Sequence, residues 1–204
     1  MAMATGLYRT MEWIMKLVYV QVLWLGFTLA GLGGAGIFPA TVSMYTVLRK
    51  WLQGESDVPI LAVFKKTWRK DWLIANQIGW SFLAAGFVLY FYLRAAMTLG
   101  GTIGMVLYFL AAISIFIFIL AFLFVFPVYV HFQAGFVKAV RLAFLFALSH
   151  PFHSLSMIAA VCLFYLLAGM LPVLMLFLGS SLFSLSIMTI AKLAFIKAGA
   201  VKPA

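Results

Sequence analysis

Few residues in this chain could do chemistry, and their spacing limits what that chemistry could be. Residues 31–36 read Gly-Leu-Gly-Gly-Ala-Gly, the G-x-G-x-x-G spacing that lets backbone approach a pyrophosphate. Glu55 follows nineteen residues past the last glycine, near where an acid would bind a ribose. His150 and His153 stand three apart, a separation that can present two metal ligands on one helical face. The acids are four, Glu12, Glu55, Asp57 and Asp71, all within the first 71 residues, so no Ser/His/Asp arrangement has support.

The flanking elements decide these readings. A dinucleotide site needs a strand before the glycines and a helix after them. Here an apolar stretch of helical length, Leu17 to Ala30, precedes them, so the glycines are predicted to form a hairpin turn or helix break, and the Glu55 spacing is coincidental. Two histidines fall short of the three or four ligands of a zinc site, and Pro151 stands between them, so an interfacial pair is expected. His131 is read as a polar contact at the membrane edge. There is no Walker A lysine motif, so any ATP hydrolysis must belong to another chain. No cofactor, no metal and no enzymatic activity are expected.

Composition sets the class. Of 204 residues, 67% are hydrophobic and 9% charged, against about 45–50% and about 25% in soluble domains. Uncharged runs at 17–48, 72–93, 95–137 and 142–191 are each long enough to cross a bilayer, and the last is long enough to cross twice. The expected fold is therefore all-α: a polytopic helical membrane protein forming one integral membrane domain over 1–204, with five to six membrane segments. A net charge of +10 would suggest nucleic acid in a soluble protein, but here the basic residues flank apolar runs, so membrane lipids are the expected partner and nucleic acid is not. Cys162, the single cysteine, cannot form an internal disulfide. The first apolar run lacks a clear A-x-A site and is read as retained.

Along the chain, the first helix covers Leu17 to Ala30, extended by Met11 to Met15, and a second runs from Phe38 to about Leu52. Thr41, Ser43, Thr46 and Lys50 give the second helix a polar side, which suggests packing against protein or water. A basic segment follows. Ser56 or Asp57 can cap it, Pro59 sits in its first turn, and Ile60, Leu61, Phe64, Trp68 and Trp72 form its apolar face. Lys65, Lys66, Arg69 and Lys70 take the remaining face. The pattern predicts an amphipathic helix in the cytoplasmic interface, with Phe64, Lys65, Lys66, Trp68, Arg69 and Lys70 contacting lipid or, alternatively, a partner. Trp72 to Leu93 is a clear crossing, with Asn76 and Gln77 near its start. The next helix begins near Thr102 and is expected to leave the membrane at Pro127 and continue along the interface to His150. Two crossings, Ser154 to Leu171 and Val173 to Ala191, complete the chain, the last carrying Ser180, Ser181, Ser184 and Ser186 as helix-packing groups. Thr41, Ser43, Asn76, Gln77 and His131 are the candidate polar contacts inside the membrane.

Charge sets the orientation. If residues 17–48 form a hairpin, both termini lie in the cytoplasm and, of the fourteen lysines and arginines, Arg94 alone lies outside. A single kinked span would leave three outside, so the hairpin is favoured, although the first arm is short. A weak echo links Phe38–Pro39, ahead of Arg49–Lys50, with Phe126–Pro127, ahead of Lys138 and Arg141. In the hairpin arrangement the two Phe–Pro pairs are expected on opposite sides of the membrane.

The stretch TGLYRTMEWIMKLVYVQVLWLGFTLAGLGGAGIFPATVSMYTVLRKWLQGE, followed by FKKTWRKDWLIANQIGW, resembles the YesL-like family of small bacterial membrane proteins. The shared pattern is an apolar helix, a small-residue break, a proline, an aromatic (Tyr45), then a basic end and a charged loop with Phe and Trp. That resemblance implies a multi-pass protein of the bacterial cell membrane without established enzymatic activity. Family members often occur beside carbohydrate ABC importers and glycan-degrading enzymes, which implies an accessory subunit working with importer permease subunits. A small autonomous transporter or channel is the alternative, with a polar path along Thr41, Ser43, Asn76, Gln77 and the serines of the last helix.

Overall fold

The computed structural model describes residues 2–55 and 57–200. Among them are eight helices and no strand: α1 (Ala2–Ala30), α2 (Gly34–Leu52), α3 (Ile60–Lys70), α4 (Trp72–Thr98), α5 (Gly101–Phe132), α6 (Phe136–Ser149), α7 (Pro151–Met170) and α8 (Pro172–Lys197). Five of them, α1, α4, α5, α7 and α8, are long and apolar enough to cross a membrane. Large apolar side chains cover much of the outer surface, including Phe87, Phe91, Phe109, Tyr165 and Phe177, as a bilayer solvent requires.

The glycine motif is a helical hairpin. Trp13, in the first half of α1, meets Trp51 near the end of α2, ring centroids 5.6 Å apart, and the Trp24 indole donates to the Thr41 hydroxyl (3.1 Å). The two helices therefore run antiparallel, which resolves 17–48 as a hairpin and not a kinked span. Gly31 and Gly36 allow the close approach: a Cβ on Gly31 would collide with the Gly36 backbone, and one on Gly36 with the Thr28 carbonyl. Gly33 turns the chain at φ 68°, where L side chains are disfavoured.

Several boundaries differ from expectation. α2 starts at Gly34, four residues before Phe38, and runs through Pro39; α5 runs through Pro127 to Phe132. Each proline removes one backbone hydrogen bond, yet both are buried among neighbouring helices that hold the axis straight enough to continue. The break after α5 falls instead at Gln133, in the left-handed conformation at φ 45°. α4 extends past Arg94 to Thr98, so the expected connection 94–101 shrinks to Leu99 and Gly100. Residues 136–149 do not lie free in the interface. Phe144 and Phe146 pack α6 onto Phe82 of α4 and Phe124 of α5. Pro151 and Pro172 each open a helix, the position where a missing N–H is harmless.

The two Phe–Pro pairs also depart from expectation. Phe38 stacks on Phe126 at 6.2 Å, and Tyr45 on the same ring at 6.5 Å. They meet because α2 and α5 lie side by side in the same direction: the Arg49 guanidinium, one turn past Tyr45, donates to the Val130 carbonyl, one turn past Phe126 (3.0 Å). Gly79 of α4 makes room for Phe38, whose ring occupies the volume a Cβ there would need.

These contacts gather the basic residues. The end of α2, all of α3, the start of α4, the end of α5 and the end of α8 share one end of the bundle, where the Lys192 ammonium donates to the Leu52 carbonyl (2.6 Å). Arg94 sits near the C-terminal end of α4, away from that cluster. Lys202, the cap candidate Ser56 and the side chain of Arg9 lie outside the described residues.

Candidate functional site: a basic cavity at one end of the bundle

α3 carries three stripes, and its functional meaning depends on separating them. Phe64 and Trp68, four apart, turn inward against α1, with the Phe27 ring 5.1 Å from Phe64 and 5.4 Å from Trp68. Trp68 also meets Trp72 edge-on at 4.5 Å. Phe64 is fully buried in a cluster with Met44, Val47 and Leu48 of α2. The expected lipid or partner contact is thus corrected for Phe64: an apolar stripe beside an apolar hairpin packs on the chain's own core first. Leu61, expected on the same face, is exposed. Asp57 does not cap the helix, which begins after Pro59 without a side-chain cap bond.

The second stripe is Val63, Lys66, Thr67 and Lys70, spaced three and four apart. It forms one wall of a cavity of about 520 Å³. Thr46, Arg49 and Lys50 of α2 form another wall, and Tyr129 and Val130 of α5, with the turn at Gln133–Gly135, close it. The cavity therefore brings four cations from two helices around a single space. Lys65 and Arg69 form the third stripe, on the outer side of α3 and away from the cavity; Lys66 and Lys70, also exposed, border both the cavity and a shallow outer groove shared with Lys65 and Arg69.

The charges in the cavity are unequally compensated. Lys50 is paired with Glu55 at 2.6 Å. Arg49 uses one guanidinium nitrogen on the Val130 carbonyl, while its buried Nε has no partner. Asp71, at the α3–α4 junction, is the cavity's one carboxylate and lies beside the Tyr129 hydroxyl. Burial pushes its carboxyl above the ordinary aspartate value, against the opposing pull of Lys70 and the Tyr129 hydroxyl. Lys66 and Lys70 have no ion pair among the described residues.

The candidate polar contacts inside the membrane do not line this cavity. Thr41 donates to Ile37 O, buried Ser43 to Pro39 O and the Asn76 amide to Trp72 O, each within its own helix. Gln77 is exposed. His131 is half-buried, its ring against Phe132 and Phe195. His150 and His153 lie 5.9 Å apart by ring centroids, and among the described residues no three His, Cys, Asp or Glu side chains gather as a metal site would need.

Sequence reasoning missed two sets of residues. Gln21 is buried in α1, where its carbonyl accepts from the Ser180 hydroxyl (2.6 Å) and the Ser181 amide (3.0 Å) and its amide donates to Leu176 O (3.2 Å). A lone glutamine in an apolar run was the available signal. Arg49, Asp71, Tyr129 and Gln133 were missed as cavity residues because they converge from three separate segments, the end of α2, the α3–α4 junction and the end of α5.

A bundle of helices with five apolar spans, a lipid-compatible surface and one basic end defines a multi-pass membrane protein. Residues 17–93 match the family described as protein of unknown function, DUF624. The chain is 34% identical to the uncharacterized protein YesL of Bacillus subtilis (strain 168) over 194 residues, covering 95% of this chain and 91% of that one. It is also 36% identical to the uncharacterized protein YteU of the same organism, over 80% of this chain and 75% of that one, and 34% identical to the uncharacterized protein YesV, over 94% and 92%. No solved structure matches. The chain belongs to the YesL-like DUF624 family of helical membrane proteins.

Proposed function

We propose that this protein is a non-enzymatic accessory subunit that docks, through the basic end of its bundle, on the permease subunits of a carbohydrate ABC importer in a bacterial cell membrane. The observation that carries this reading is the anchored geometry of α3. Its Phe64–Trp68 stripe fixes it to α1 and α2, so Lys65 and Arg69 form a positioned, exposed ridge. The family resemblance supplies the kind of partner. The positive-inside tendency puts that ridge, and both chain ends, in the cytoplasm. A non-enzymatic role is supported by how three of the four acids are used: Glu12 and Glu55 pair with Lys16 and Lys50, and Asp71 lies beside Tyr129.

The test is affinity purification of the tagged full chain from its native membrane in a mild detergent, followed by mass spectrometry. Importer permease subunits are expected to co-purify with the wild-type chain, and recovery should fall at least about fivefold with Lys65→Glu and Arg69→Glu together, as for opposed charges at an interface. Sugar flux into liposomes holding only this chain would overturn the proposal in favour of an autonomous transporter.

A further inference from the structure

We infer that the basic cavity binds a phosphate group, presented either by an anionic lipid headgroup or by a soluble phosphorylated small molecule. The inference does not depend on the importer reading, since it concerns a cavity the chain builds alone. Its volume of about 520 Å³ falls in the range of small-molecule sites, roughly 300–1,000 Å³. Three of its cations, Arg49, Lys66 and Lys70, have no carboxylate at ion-pair distance among the described residues. Like charges facing one space repel, and an anion between them relieves that repulsion.

The chemistry of the lining narrows the anion. Arg49 offers a planar fork of donors suited to oxyanions, and its buried Nε has a hydrogen to give and nothing to receive it. Lys66 and Lys70, one turn apart on α3, face the same space from another wall. Thr67 and Gln133 add uncharged donors, whereas the Thr46 hydroxyl already donates to the Val42 carbonyl (2.8 Å). With Asp71 ionised, the three unpaired cations leave a net charge of about +2, which matches a phosphate monoester at roughly −1.5 to −2. A single carboxylate would leave part of that charge uncompensated. The cavity, walled by four helices and a turn and open on one side, admits one compact group from outside.

The full chain, purified in maltoside detergent, is titrated with two pairs of probes. Glucose 6-phosphate is compared with glucose by calorimetry, and phosphatidic acid, whose headgroup is a phosphate monoester, with diacylglycerol, which lacks the phosphate, by native mass spectrometry. At least one anionic probe is expected to bind in preference to its neutral counterpart. Lys66→Ala with Lys70→Ala should weaken that binding at least about tenfold, and Lys65→Ala with Arg69→Ala, which removes the same charge from the outer stripe, should change it less than about twofold. Binding of the lipid alone identifies a headgroup, binding of the sugar phosphate alone identifies a soluble ligand, and binding of both shows that phosphate itself suffices. Should the alanine pair fail to fold, Lys66→Gln with Lys70→Gln keeps the side-chain length while removing the charge. The inference is overturned if neither anionic probe is preferred, or if the inner and outer pairs weaken binding equally.

Discussion

α2 and α7 have similar lengths and opposite surroundings. Eleven of the nineteen residues of α2 are buried, against two of the twenty of α7. The buried helix is the more polar one: α2 carries Thr41, Ser43, Thr46, Arg49 and Lys50, whereas α7 after His153 has only Ser154, Ser156 and Cys162 to interrupt its apolar run. A soluble protein sorts the other way. In lipid, an apolar face gains nothing by leaving its solvent, so packing and hydrogen bonds decide which helix goes inside. α2 wins the centre because its glycines permit close approach, its hydroxyls are satisfied within the helix and its flat rings stack on α5.

That contrast is most severely tested at the hairpin glycines. Gly36→Leu drives a side chain into the Thr28 carbonyl and should separate α1 from α2, at a cost above about 4 kcal/mol, the range of a broken backbone contact. Gly169→Leu, near the end of α7 where a Cβ meets nothing within 4 Å, should be tolerated. The measurement is the fraction of monodisperse protein after detergent extraction and its thermal midpoint. Equal loss in both variants would mean that α2 is no more central than α7.

A milder probe removes methylenes without adding bulk. Met44→Ala on α2, at a fully buried position, should leave a cavity and cost about 2 kcal/mol. Leu163→Ala on α7, 55% exposed, should cost close to nothing, because lipid chains refill the space. Denaturation in mixed micelles reads both. In this solvent the penalty comes from lost dispersion contacts, so a large effect at Leu163 would indicate that α7 is covered by another protein surface and not by lipid.

How much of this was legible in the sequence follows from the same physics. The apolar runs, their helical state and the hairpin could be read because lipid forces helices and charge sorts their ends. The uninterrupted course of α2 through Pro39 and of α5 through Pro127 could not, since tolerance of a proline depends on neighbours that the local sequence does not name. Nor could the destination of Phe64: a helix with one apolar stripe reads alike whether the stripe meets lipid or its own hairpin. The Gln21–Ser180 bond and the basic cavity were hidden for a further reason. Each is made by residues distant in the chain, and helical periodicity says which residues share a face without saying which face is opposite.

The smallest expected effect extends the contrast to charge, at the α3–α4 junction beside the end of α2. The Asp71 carboxyl is raised by burial, so in the folded state it binds a proton at pH values where the unfolded chain has already released its own. Between the ordinary value of 3.8 and the raised one, the native state therefore holds more protons, and stability must fall as pH rises through that window. Asp71→Asn removes the titration while keeping an acceptor for the Tyr129 hydroxyl. Thermal midpoints measured across the acidic range should decline with rising pH in the wild type relative to Asp71→Asn, and run parallel above the window. A phosphate bound in the cavity would disfavour ionised Asp71 further and widen the window upward, whereas the apolar surface of α7, with no carboxylate, has nothing comparable to titrate. Coincident profiles for wild type and variant would show that the carboxylate at the α3–α4 junction is as well solvated as one in water.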